Sequence, residues 1–193
     1  MGFHTFDADR AAQLEDPARF AYCSVEELFA LFDPAPEATV AEIGSGTGFY
    51  TDELAPLVGR LRAVDVQQEM HDRYREKGVP DNVSLVTADA VDLPFDDGSL
   101  DGAFSTFTFH EFAGEAALEE LFRVLRPGAA VGVVDWSKAG PGEDGPPRDE
   151  RFSAADAESL LARAGFAVPR AEERRETFAL RARRPSDPSS GNN

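Results

Sequence analysis

Glu42-Ile43-Gly44-Ser45-Gly46-Thr47-Gly48 carries the first structural signal in this 193-residue chain. The stretch ending at Ile43, Thr39-Val40-Ala41-Glu42-Ile43, is short, β-rich and closed by glycines, which predicts a buried strand. Beyond it, Thr47 to Leu57 reads as a helix opened by Thr47 and stopped near Val58-Gly59. A glycine loop between strand and helix lies at the strand's carboxyl end, where open α/β folds bind ligands. Glycines there let the backbone approach a ligand and turn tightly into the helix. The spacing then separates cofactor classes. A dinucleotide fingerprint needs glycines at 44, 46 and 49, but position 49 is Phe and the third glycine is Gly48. A Walker loop needs a following Gly-Lys-Ser/Thr, and none follows.

Outward from this loop, apolar runs alternate with amphipathic stretches. Strands are predicted at 60–64, 83–87, 100–105 and 129–134, with helices over 67–77, 115–125 and 152–164, the last with Ser153 as N-cap. Arg126-Pro127-Gly128 reads as a helix stop, and 166–168 and 177–181 as two last strands. Strand–helix alternation with short connections implies a parallel sheet with helices on both faces. The last two strands have no helix between them, so one of them is expected to be antiparallel. The expected fold is therefore α/β and Rossmann-like, a seven-stranded, mostly parallel sheet whose last strand is antiparallel. Helices at 8–13 and 24–32 precede the sheet. The expected layout is an N-terminal helical lid segment (1–37), one domain (38–184) and a disordered Pro/Ser/Gly/Asn-rich tail (185–193).

Asp65 closes the second strand, 17 residues after Gly48. A carboxylate there can accept hydrogen bonds from both ribose hydroxyls of a nucleoside, held rigid by the strand end. A plain turn aspartate is the alternative; its pairing with the glycine loop favours the ribose role.

Composition narrows the setting. Lys plus Arg is 19 against 36 Asp plus Glu, a formal charge of −17, and only Lys77 and Lys138 are lysines. Such a surface repels nucleic-acid phosphates and anionic lipids, so neither is an expected partner. It also has the character of a halophilic protein, because multimolar salt screens the self-repulsion of excess carboxylates. No apolar run approaches the length of a membrane helix, and the N-terminus lacks both a signal-peptide pattern and a myristoylation pattern. The lone Cys23 excludes an internal disulfide. A soluble, cytoplasmic, acidic protein, monomer or homodimer, is the expectation.

Four motifs in order resemble the class I S-adenosylmethionine-dependent methyltransferases, specifically the small-molecule branch typified by ubiquinone/menaquinone biosynthesis (type 11). They are Glu42-x-Gly44-x-Gly46-x-Gly48, Asp65-Val66-Gln67-Gln68-Glu69-Met70, Ala88-Asp89-Ala90-Val91-Asp92-Leu93-Pro94-Phe95 and Leu121-Phe122-Arg123-Val124-Leu125-Arg126-Pro127-Gly128. The resemblance spans Thr39 to Val134, about half the chain. It implies S-adenosyl-L-methionine as cofactor, no metal, and a small-molecule methyl acceptor. It further implies that Gly44, Ser45, Gly46 and Gly48 line the methionine moiety. Glu42 would hold the loop or meet the amino group, and Asp65 would bind the ribose. Val66 and Met70 would lie against the adenine, although Met70 suits a core position nearly as well. Asp89 and Ala90 would lie at the adenine edge, and Ser105 beside the methionine part.

Methyl transfer is an in-line displacement that needs alignment and exclusion of water, and a base only where the nucleophile must lose a proton. The candidates follow the fourth strand in Phe107-Thr108-Phe109-His110-Glu111-Phe112. His110 titrates near neutrality and serves as base, acceptor-lining residue or structural cap; Glu111 orients it or binds a cationic acceptor. Asp135-Trp136-Ser137-Lys138, the loop 139–151 and Tyr22 flank the acceptor mouth. Read as a wall, that loop uses its prolines; read as a connector, it is ordinary. Motifs for amino-methylation of nucleic acids, cytosine C5 chemistry and arsenic methylation are missing from the sequence. The rival readings are a non-catalytic S-adenosylmethionine-binding protein and, disfavoured by Phe49, an NAD-linked oxidoreductase.

Overall fold

Short β-rich segments that are apolar on both sides can satisfy their backbone only beside one another, under helices that cover both faces. The computed structural model, which describes residues 6–186, realises this as one seven-stranded sheet in the order β3-β2-β1-β4-β5-β7-β6. The strands are β1 Thr39–Ile43, β2 Arg60–Asp65, β3 Val83–Thr87, β4 Leu100–Thr106, β5 Leu125–Trp136, β6 Ala167–Glu173 and β7 Thr177–Arg183. Strands β1 to β5 pair in parallel. The last strand, β7, inserts between β5 and β6 and runs antiparallel to both. The order reverses between β1 and β4, the switch point at which such sheets open a crevice.

Two apolar clusters cover the two faces. One packs α1 (Val25–Phe32), α2 (Phe49–Leu54) and α3 (Gln68–Lys77) through Leu28, Leu31, Leu54 and Tyr74. The other packs α4 (Phe109–Phe112), α5 (Glu115–Val124) and α6 (Ala154–Arg163) through Phe109, Leu118, Leu121, Ala157 and Leu161. Among the described residues no helix is long and apolar enough to cross a membrane.

Several expectations need correction. The helix after the glycine loop begins at Phe49, because Gly48, its cap, is left-handed at φ +85° and cannot extend the helix back to Thr47, whose hydroxyl is engaged by Glu15. It ends at Leu54 and tightens into a 3-10 turn, Ala55–Leu57, at Pro56. Arg126-Pro127-Gly128 does not stop the preceding helix ahead of a turn. The strand takes over directly at Leu125, and the register slips between Leu100 and Gly102 as Gly128 adopts φ +84°. The stretch begun at Ala8 is a 3-10 helix, Ala8–Glu15, followed by another at Pro17–Ala21. The helix expected over 24–32 forms as α1, with Ser24 as its cap. That helix is no lid: its Leu28, Leu31 and Phe32 stripe is buried against the sheet, with Phe32 stacked 5.2 Å from Phe104. Among the described residues of the segment 1–37, those that line the crevice fall between Phe6 and Tyr22. Ser153 caps α6 in a full capping box with Asp156. Residues 1–5 and 187–193, most of the tail expected to be disordered, lie outside the described residues.

Candidate active site

At the carboxyl ends of β1 and β2 the chain builds a loop from backbone. The amides of Gly44 and Ser45 both donate to the Val64 carbonyl, each at 2.9 Å, and fold the loop back over β2. Gly44 and Gly48 adopt φ +78° and +85°, where side chains are rarely tolerated. A Cβ on Gly48 would lie 2.1 Å from the Tyr74 ring, and one on Gly44 would lie 2.3 Å from Thr108 Cγ2. Asp65 locks the arrangement: Oδ2 accepts from the Gly46 amide at 2.7 Å and Oδ1 from the Gln67 amide at 2.9 Å. Burial raises its pKa, and those two amides hold the rise in check. Each oxygen keeps a free lone pair for a further donor.

Glu42 is buried beneath the loop. It accepts hydrogen bonds from Thr51 and, at 3.5 Å, from Thr106. Burial pushes its pKa up to about 8. Ser45 lies beside it with a buried hydroxyl that has no partner.

These groups open onto a cavity of about 880 Å³, at the upper end of ligand-site sizes. Glu42, Gly44, Ser45, Gly46, Asp65, Val66, Met70, Asp89, Ala90, His110 and Glu111 all line it. Gly48 supports the loop from just behind. Ser105 is a correction: its side chain is buried without a partner but does not line the cavity. Side chains alternate along β4, so Thr106 and not Ser105 turns toward Glu42.

The opposite wall is assembled from side chains. After β4, Phe107 takes φ +58°, a conformation rare for an aromatic residue, with its amide on the Val134 carbonyl at 2.8 Å. The bend starts α4 and turns His110 toward the end of β5. There Asp135, fully buried, binds His110 three ways: the backbone amide at 2.7 Å and Nδ1 at 2.9 and 3.0 Å. Its Oδ1 also accepts from the Trp136 amide at 2.7 Å. Burial alone would lower the His110 pKa, but the charge and hydrogen bond of Asp135, aided by Glu111, raise it. With Nδ1–H committed to Asp135, the free lone pair sits on Nε2. Glu111 Oε1 lies 3.9 Å from Nε2, and burial lifts the Glu111 carboxyl to about 7.

Tyr22 and the loop 139–151 close this side. The Tyr22 hydroxyl donates to Asp144 at 2.5 Å, and its ring meets Trp136 edge-on with centroids 4.9 Å apart. Buried Arg151 anchors the loop by donating to the carbonyls of Pro146 (2.8 Å) and Asp144. Asp144, Gly145, Pro146, Pro147 and Glu150 then face the cavity, so of the two readings of this loop the wall holds. Cys23 is buried away from the cavity. The sequence reading did not single out Asp135 as the partner of His110, nor Arg19, which also lines the cavity. The available signal for Asp135 was a charge set directly after the apolar run Val131 to Val134.

The donor set fits an adenosyl sulfonium: carboxylates and an unpartnered hydroxyl around a cleft, with no lysine cradle for phosphates. Sheet order, switch-point crevice and glycine loop define the class I methyltransferase fold. The family described as "Methyltransferase domain" matches residues 41–133. A SAM-dependent methyltransferase of Aquifex aeolicus superposes with a TM-score of 0.84 at 33% identity, covering 93% of this chain and 100% of its own. The O-methyltransferase cnsE of Penicillium expansum is 29% identical over 174 residues, 80% of this chain and 63% of its own length. The ubiquinone/menaquinone biosynthesis C-methyltransferase UbiE of Ectopseudomonas mendocina is 37% identical over 113 residues, 54% of this chain and 44% of its own. This chain thus spans less than two thirds of the length of these two curated relatives. It belongs to the S-adenosylmethionine-dependent methyltransferases, whose cofactor is S-adenosyl-L-methionine.

Proposed function

We propose that this chain methylates a small-molecule acceptor whose nucleophile carries a proton, with His110 as the general base. One observation carries this reading: a buried His–Asp pair in the wall of the cofactor cavity, with Nδ1 bonded to Asp135 and Nε2 left to serve as base. When bound, S-adenosylmethionine supplies an electrophilic methyl group on a cationic sulfur. Asp65 holds the ribose hydroxyls, Glu42 meets the cationic amino group, and Val66, Met70, Asp89 and Ala90 frame the adenine. Gly44, Ser45 and Gly46 present backbone to the methionine moiety, with Gly48 behind them. His110 Nε2 takes the acceptor's proton while Asp135 stabilises the imidazolium that forms. Glu111, next to Nε2, is placed to receive that proton or to bind a positively charged acceptor. Trp136, Tyr22, Pro146 and Pro147 exclude water from the acceptor. A module that merely bound the cofactor would have no use for a buried base directed into the cavity.

The test uses donor with a labelled methyl group and an extract of small metabolites, protein and nucleic acid. Label is expected in the small-molecule filtrate, and His110→Ala sharply slows its appearance while binding of S-adenosylhomocysteine persists. Label confined to macromolecules, or unaffected by His110→Ala, overturns the reading.

We further propose that the segment before Ser24 acts as a lid, and that the protein works in the cytoplasm at high salt without nucleic-acid or membrane partners. The charge of −17 with two lysines supports the salt assignment. Thermal stability is expected to climb with KCl; a melting temperature indifferent to KCl opposes it.

A further inference from the structure

We infer that the methyl acceptor is an amine, held as its ammonium between His110 and Glu111; this rests on the function proposed above. Both residues line the cavity, and each leaves lone pairs without a donor. The His110 side chain is only 8% exposed, with Nδ1 on Asp135 and, among the described residues, no hydrogen bond at Nε2. The Glu111 side chain is 17% exposed, and among the described residues its carboxylate accepts no hydrogen bond. Nε2 and Oε1 lie 3.9 Å apart, too far to bond each other and close enough to share one donor atom between them. Each acceptor then takes its own hydrogen, so the shared atom must carry at least two. A hydroxyl or a thiol has one; a primary or secondary ammonium has two or three.

Charge separates an ammonium from a neutral amide. Among the described residues Glu111, Asp144 and Glu150 line this wall, and no lysine or arginine of α4, β5 or the loop 139–151 does. The arginines that line the cavity, Arg10 and Arg19, come from the N-terminal 3-10 turns. The Arg19 guanidinium is lodged among Phe49, Tyr50 and Phe107, at 5.3, 5.6 and 5.2 Å from their ring centroids. Arg151 likewise lies 5.6 Å from the Trp136 centroid. Aromatic faces that would suit a quaternary ammonium are already occupied, and a quaternary nitrogen has no hydrogen to give. Burial lifts the Glu111 carboxyl to about 7, and Asp65, Asp135 and Glu150 add to the rise, which a cation beside it would reverse.

The reaction itself favours the same class. A phenol would have to become an anion beside three acids before it could react. An amine instead receives positive charge from the sulfur, and that charge moves toward Glu111 and Glu150. In the step, an N–H bond of the ammonium breaks and its proton goes to His110 Nε2. The freed electron pair forms the N–C bond, the C–S bond breaks, and its pair stays on sulfur. The products are a methylated ammonium, S-adenosylhomocysteine and the proton that His110 then yields to water.

The experiment supplies donor with an isotopically enriched methyl carbon and an extract of small metabolites, and reads the filtrate by carbon NMR against a blank without protein. An enriched N–CH3 signal is expected, with a shift that moves with pH as an amine titrates. Enriched O–CH3, S–CH3 or C–CH3, or an N–CH3 that does not titrate, overturns the inference and leaves the small-molecule methyltransferase standing. No enriched product in the filtrate overturns both. A second arm needs no turnover: the methylated amine recovered from the filtrate is titrated by calorimetry into protein saturated with S-adenosylhomocysteine. Glu111→Gln is expected to weaken it about tenfold to a hundredfold, the range for hydrogen bonds to a charged group, with S-adenosylhomocysteine affinity unchanged. Equal affinity of both proteins for the amine overturns the inference. If Glu111→Gln does not fold, Glu111→Asp serves instead, since it keeps the charge but draws it back by one methylene. A smaller loss confined to the amine supports the inference, and no loss overturns it.

Discussion

The two walls of the crevice are built from different materials. The wall over β1 and β2 is mostly backbone: glycines in left-handed conformations, amides on the Val64 carbonyl, and Asp65 clamping the amides of Gly46 and Gln67. The wall over β4 and β5 is mostly side chain: His110 on Asp135, Tyr22 on Asp144, and Arg151 pinning the proline loop. A backbone wall suits a ligand that never changes, because amide geometry is fixed by the fold. A side-chain wall can be rebuilt residue by residue, as a variable acceptor requires. On this contrast, damage to the first wall lowers cofactor affinity, and damage to the second lowers turnover while cofactor affinity survives.

The largest expected effect tests the second wall. His110→Ala should lower turnover by about 10²- to 10⁴-fold, the usual worth of a general base, with S-adenosylhomocysteine affinity unchanged. The pH profile sharpens the point. Asp135 holds the His110 pKa above its ordinary value, and the base works only when neutral, so turnover should climb with pH through and beyond neutrality. Asp135→Asn removes the charge that raises it, moves that limb to lower pH and lowers the plateau. The linkage has a definite sign. A folded-state pKa raised in this way stabilises the protein fully below the unfolded value of about 6.5, and the contribution fades as pH rises through the folded value. A pH–rate profile that does not respond to Asp135→Asn would separate His110 from proton transfer.

Next come two tests of the backbone wall. Gly48→Ala combines a left-handed φ with a Cβ placed into the buried Tyr74 ring, and is expected to cost about 2–5 kcal/mol of folding stability, measured by denaturant melts. Asp65→Ala should weaken S-adenosylhomocysteine by about 1.5–3 kcal/mol in calorimetry, because it removes a charged acceptor and also frees the Gly46 amide. Glu42 adds a proton readout. Its carboxyl, pushed up to about 8, is largely protonated at pH 7, and a cationic amino group favours the ionised form. Cofactor binding at pH 7 should therefore release a proton, detectable as a buffer-dependent heat, and Glu42→Gln should abolish the release.

The same contrast explains what the sequence made legible. The backbone wall leaves marks in a single sequence: left-handed turns demand glycine at set spacings, and the ribose acid must close β2, so positions 44, 46, 48 and 65 stand out. Strand existence was legible for similar reasons. Strand ends were not, because β5 begins at Leu125 through tertiary pairing with Leu100 despite Pro127 and Gly128. Ser105 was misplaced because a one-residue difference in phase along β4 sends a side chain to the other face. The second wall depends on contacts between distant residues, Asp135 with His110 and Tyr22 with Asp144, and no local pattern announces such pairs. Arg19 was missed for the same reason. Its cage of Phe49, Tyr50 and Phe107 exists only after the N-terminal turns fold across the crevice.

The smallest expected effect tests how the two flanking segments cooperate. Tyr22 donates to Asp144 across the mouth, and this hydrogen bond lifts its phenol to about 12. It joins the segment before Ser24 to the loop 139–151 at a partly solvated site, so Tyr22→Phe should cost at most about 1 kcal/mol of stability. The ring remains to pack on Trp136, and Asp65 and Gly48 are untouched, so S-adenosylhomocysteine affinity should not change. What should change is the coupling of the two segments: with the link cut, the mouth opens more often, water reaches the acceptor, and proteolysis within 139–151 speeds up in the absence of ligand. Asp144→Asn keeps an acceptor oxygen and should behave closer to the unmodified protein than Tyr22→Phe does. If both variants leave proteolysis unchanged, Arg151 and the other anchors of the loop, Arg148 on the Lys138 carbonyl and the Gly142 amide on Glu176, hold it, and the wall is rigid without help from the N-terminal segment.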